Sequence, residues 1–111
     1  DHYQLYLRST GMKEEIFNQY AEKVAEAFRV SEGDIFAKIK RQEVVDARHT
    51  LYYLCFKRPM TPAYIQRYML TRGYEIRHSS IIHGIKKIED KISTDRDYVN
   101  IIRSIKQCVT L

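Results

Sequence analysis

Between residues 81 and 92, isoleucine recurs at intervals of four, three and four, as Ile81, Ile85, Ile88 and Ile92. That spacing follows the 3.6-residue turn and predicts a helix over 78–92 with one apolar stripe. Its N-terminal end has a different character. Arg77, His78, Ser79 and Ser80 fall in or just before the first turn, and all can donate hydrogen bonds. A helix that starts this way suits phosphate oxygens and base edges. Its first N–H groups and its dipole attract anions, and its first residues can enter a major groove.

The rest of the chain reads as helices around the same core. Over 13–29, Ile16, Phe17, Tyr20, Val24, Ala27 and Phe28 share one broad side, with Glu14 and Glu15 near the positive end of the dipole. Val30 and Ser31 break that helix. Ser31, with Asp34 three residues on, starts a short helix through Ile39. A basic connector follows at 38–42. Glu43 to Lys57 is a strong helix with Val44, Ala47, Leu51, Leu54 and Cys55 as its core face. Arg48 and His49 lie near its start, where cations oppose the dipole, and that placement points to an external anion. Thr61 caps the next helix and Pro62 takes its first position, while Gly73 marks its end. Tyr64, Ile65, Tyr68 and Met69 form its core face. Thr94, with Asp97 three residues on, opens a last helix with Val99, Ile102, Ile105 and Val109 on its buried side.

The expectation is an all-α domain of about six helices over 13–111. Residues 1–12 form an N-terminal arm or extension, in which Tyr3, Leu5 and Leu7 alternate with polar neighbours as in a short strand. The helices at 61–72 and 78–92, joined by a turn containing glycine, make a helix-turn-helix in outline.

The chain carries a net charge of +5, but unevenly. From Lys40 to Lys91, eleven Lys and Arg stand against five Asp and Glu, whereas the remainder has eight against nine. Positive charge concentrated mid-chain suits a polyanionic partner. Cys55 and Cys108 have no neighbour at metal-ligand spacing and read as buried free thiols in a reducing, cytoplasmic setting. No metal or cofactor is expected. No run of 18 apolar residues occurs, so no membrane span is expected. No signal peptide is visible, and the chain begins at Asp1 rather than Met, as a fragment or trimmed product would.

Three stretches carry a resemblance. "VAEAFRVSEGDI" (24–35), "KIKRQEVVDARHTLYYL" (38–54) and "RHSSIIHGIKKIEDKI" (77–92) follow one another in the order of the C-terminal DNA-binding domain of the bacterial replication initiator DnaA. That family has a six-helix, Trp-repressor-like helix-turn-helix fold. The match covers roughly residues 14 to 106. The resemblance implies that His78, Ser79 and Ser80 contact bases and phosphates, and that Arg48 meets the DNA backbone, with His49 replacing the family's glutamine. It implies that Lys40 and Arg41 reach the minor groove from a basic loop, and that Lys57 and Arg58 lie near a phosphate. The chain departs from the family in three places. Arg77 stands where the family has a base-reading Asp, and an Arg there favours guanine over cytosine. Ile76 stands for an Arg. The interval from Ile65 to His78 is about four residues longer. No Gly-rich Lys-Ser/Thr phosphate loop occurs, so the family's ATPase motor is not in this chain.

The resulting expectation is a sequence-specific double-stranded DNA-binding module, nucleoid-associated and acting in replication or transcription control, with a homodimer or fused partner completing its footprint. Such a module without its motor suits a phage or mobile element. The alternative is a protein-interaction module that keeps the fold without binding DNA, with Tyr64, Tyr68 and Tyr74 at its interface. An enzyme is not expected. His78 and His83 are five apart, off the i, i+4 spacing of helical ligand pairs, and no carboxylate pair or Cys–His arrangement supports catalysis.

Overall fold

The computed structural model describes the backbone of residues 2–109 and the side chains of residues 12–109. Six helices follow in order: α1 (His2–Phe28), α2 (Glu32–Ile35), α3 (Gln42–Phe56), α4 (Pro62–Thr71), α5 (His78–Thr94) and α6 (Arg96–Cys108). The described residues contain no strand.

Helix α3 lies at the centre and packs against all five others. Its Val44, Ala47, Leu51 and Leu54 have no exposed surface. Around it gather Phe17, Tyr20 and Val24 of α1, Ile65 and Met69 of α4, Ile81, Ile85 and Ile88 of α5, and Ile102 and Ile105 of α6. The α5 stripe that the isoleucine spacing predicts is therefore the surface that meets α3 and its neighbours. Each of those three buried isoleucines contributes about 2 kcal/mol of hydrophobic stabilisation.

Local signals set the element boundaries. Ser31 Oγ accepts from the Asp34 N–H at 3.1 Å and caps α2. Thr61 Oγ1 faces the Tyr64 N–H at 3.5 Å, with Pro62 at the first position of α4. Gly73 ends α4 with φ +85°, and the Gly73 and Tyr74 N–H groups donate to the Leu70 and Met69 carbonyls. A left-handed residue in that place is the usual glycine stop.

Several expectations change. Residues 2–12 are not a strand or an extended arm, because α1 runs through them; the side chains of 2–11 lie outside the described residues. Extending a helix costs no new nucleus, so α1 propagates past Gly11 despite that residue's helix penalty of about 1 kcal/mol. The cap of α6 is Asp95, whose Oδ1 accepts from the Asp97 N–H at 2.9 Å. Thr94 instead closes α5 and donates to the Asp90 carbonyl at 3.1 Å. Cys55 is buried, and burial pushes its thiol well above its ordinary range, but Cys108 is exposed. Tyr68 and Tyr74 are 2% and 9% exposed and belong to the core, so an interface role does not fall to them.

Candidate nucleic-acid interface

The N-terminus of α5 is presented to solvent. Arg77, His78, Ser79 and Ser80 are all exposed. Arg77 occupies the cap position and makes no side-chain capping bond, and the first turn holds no acidic side chain. The positive end of this 17-residue helix thus carries no compensating charge of its own.

The turn that leads into α5, residues 72–77, is held at the carbonyls of Glu75 and Ile76. Gln66 Nε2 of α4 donates to the Ile76 carbonyl at 2.8 Å. Lys38 Nζ, from the α2–α3 connector, donates to the Glu75 carbonyl at 2.6 Å and sits 3.9 Å from the centre of the Tyr74 ring. Arg72 locks the other end of the turn. It bonds Asn18 and Glu32 at 3.0 and 2.8 Å and lies over Phe36. The turn is therefore a braced element, anchored to α1, α2, α4 and the basic connector.

Between this turn, α3 and α5 lies a concavity of about 550 Å³. Lys38, Arg48, His49, Arg77, Ser79 and His83 are among its lining residues, with Tyr52 and Tyr74 at its walls. The folding thus brings Arg48, His49, Arg77, Ser79 and Ser80 around one concavity.

The expected role of Arg48 changes. It is 5% exposed, and its guanidinium turns inward. Nε donates to the Ile35 carbonyl at 2.7 Å, while Nη2 donates to the carbonyls of Ala37 at 2.8 Å and Asp34 at 3.2 Å. The Ile39 carbonyl lies 3.4 Å from both Nη1 and Nη2. These carbonyls belong to the end of α2 and to the connector, where those of Asp34 and Ala37 also accept from the Ala37 and Ile39 N–H groups. Arg48 serves them rather than a phosphate. The Tyr74 ring packs 4.8 Å from its Cζ.

His49 is half-buried against α5. A Cβ on Gly84 would fall 2.7 Å from its Cδ2 and 3.0 Å from Tyr52 Cδ2, so α3 and α5 approach here only because residue 84 is glycine. Burial, and then the nearby His83, lower the His49 pKa to about 4, which leaves the ring neutral at pH 7. The His83 ring stands edge-on at 6.1 Å.

The remaining expected contacts divide. Lys40 and Lys57 are exposed. Arg41 is exposed but lies between two carboxylates, Asp34 at 3.3 Å and Glu43 at 2.6 Å. Such exposed pairs are weak and can be exchanged for a phosphate. Arg58 is half-buried, with its guanidinium 5.9 Å from the Tyr20 ring centre. Sequence reasoning missed the bracing role of Lys38 and the exposure of Ile82, Lys86 and Lys87 along α5. The i, i+4 spacing of His78, Ile82 and Lys86 was the available signal.

Among the described residues, no group of three or more His, Cys, Asp and Glu could hold a metal ion, and no helix is long and apolar enough to cross a membrane. No protein-family model matches the chain.

Proposed function

We propose that this chain is a sequence-specific double-stranded DNA-binding module without catalysis. In this reading α4, the braced turn and α5 work as a helix-turn-helix, with α5 entering the major groove N-terminus first. Arg77, His78 and Ser80 read bases, and Ser79, Lys40, Arg41, Lys57 and Arg58 set the register on phosphates. Arg48 and His49 support the site from behind. The observation that carries the reading is the start of α5: four exposed donors, no acidic side chain and no side-chain cap on the first turn. The initiator-like order of the sequence adds a role in replication or transcription control, or in competition for an initiator's sites. A dimer or fused partner extends the small footprint.

Selection of bound duplexes from a random pool tests this. A motif of roughly six to ten base pairs is expected, with a guanine that depends on Arg77. Affinity should fall steeply with salt, with a log–log slope of about −4 to −7 for five to eight phosphates. An affinity indifferent to salt would remove the reading.

A second reading, a protein-interaction module, rests on Leu70. This residue is 58% exposed, beside a shallow groove that it lines with Ala63, Gln66 and Ile76. A folded wild-type chain that binds no duplex of the random pool would favour it.

A further inference from the structure

The α5 surface that faces away from the core is polar except at one place. Ile82 is 42% exposed, whereas Ile81, Ile85 and Ile88 of the same helix are 4% exposed or less. It follows His78 by four residues and Ser79 by three, and precedes Lys86 by four, so these four exposed side chains form one stripe. Nothing in the packing calls for an isoleucine here, since the core contacts of α5 are made by its neighbours. Helix propensity does not call for it either, because β-branched residues are poorer helix formers than Ala, Leu or Lys.

We infer that Ile82 is a specificity-determining residue that packs on the 5-methyl group of a thymine in the major groove. This rests on the DNA-binding reading above and deepens it. The thymine methyl is the one apolar feature that a base pair presents in that groove, and apolar side chains are its usual readers. The surroundings fit a groove rather than an apolar protein surface: Arg77 and Lys86 flank Ile82 along the helix, and both are exposed. Ile82 lies about 6 Å further along the helix axis than His78, from the rise of 1.5 Å per residue.

The test uses the full chain and a synthetic, unmethylated duplex carrying the selected motif, in which thymine is the sole source of a 5-methyl group. Each thymine is replaced in turn by deoxyuridine, which removes that methyl and nothing else. One replacement should weaken binding about fourfold, the worth of one buried methyl. Ile82→Ala should bind the thymine and deoxyuridine duplexes equally, and Ile82→Val should keep part of the discrimination. An unchanged denaturation midpoint for Ile82→Ala would place the effect at the DNA and not in the fold. If no replacement weakens the wild type, or if the loss persists in Ile82→Ala, the inference falls while the DNA-binding reading stands. If the wild type binds no duplex, both fall.

Discussion

Helices α3 and α5 both begin near a cation and a histidine, Arg48–His49 and Arg77–His78, and they point them in opposite directions. On α5 the pair is exposed at an uncapped helix end. On α3 the pair lies one to two turns in, on the side that meets α2 and α5, and is drawn inward by carbonyls and by the close approach at Gly84. Residue type is the same in both places. What differs is whether a neighbouring backbone offers acceptors nearer than solvent. An arginine near a helix start is thus a sign of a nearby anion or dipole, and it does not say whether that partner is internal or foreign.

The largest test of this contrast is Arg48→Ala. One buried and three part-buried carbonyls would lose a charged donor, and the fold should lose about 3 kcal/mol, read as a lower denaturant midpoint. Arg48→Lys should recover little, because one ammonium cannot span four carbonyls. The same truncation at Arg77 should leave the midpoint within about 0.5 kcal/mol, as exposed substitutions do, and reduce DNA affinity by about 1–3 kcal/mol. A stable Arg48→Ala protein with weakened DNA binding would reverse the assignment.

Gly84→Ala probes the seam between the two helices. Helix propensity alone predicts a gain of about 1 kcal/mol. The clash with the His49 and Tyr52 rings, 2.7 and 3.0 Å from the added Cβ, should turn this into a net loss of about 1–2 kcal/mol. A more stable variant would mean that the rings yield freely.

The last test is of pH. The folded His49 has its pKa lowered to about 4 from an ordinary 6.5, so the unfolded chain binds the proton more readily. Its contribution is fully present above about pH 6.5 and declines as pH falls toward 4. His49→Gln should flatten that part of the stability profile, measured by denaturation at several pH values.

Signals that act within a turn of chain were legible. Ser31, Thr61–Pro62 and Gly73 set boundaries through their own hydrogen bonds or their own φ, and the isoleucine stripe of α5 followed from spacing. The all-α class rests on these. The start of α6 was one residue off because Thr94 and Asp95 are both capable caps, and α5 claims the first. The N-terminal alternation misled because three apolar residues in seven fit a strand, while continuity with α1 decides the outcome. The direction of Arg48 was not legible, because its acceptors lie 9 to 14 residues away on another element. The exposure of Ile82 was legible only as the complement of the Ile81, Ile85 and Ile88 stripe, since His78 and Lys86 lie four residues to either side of it.

The grip of Arg48 on the connector has a consequence for how this surface can change. It holds main-chain oxygens, which every amino acid carries, and ignores the side chains at 36, 38 and 40. Position 40, whose side chain is exposed, can therefore be exchanged without altering the path of the loop, whereas Phe36 packs on Phe17 and Lys38 braces the turn into α5. The connector behaves as a fixed rail with an interchangeable fitting at position 40, so descendants of this chain could acquire a new contact there while the scaffold beneath stays the same.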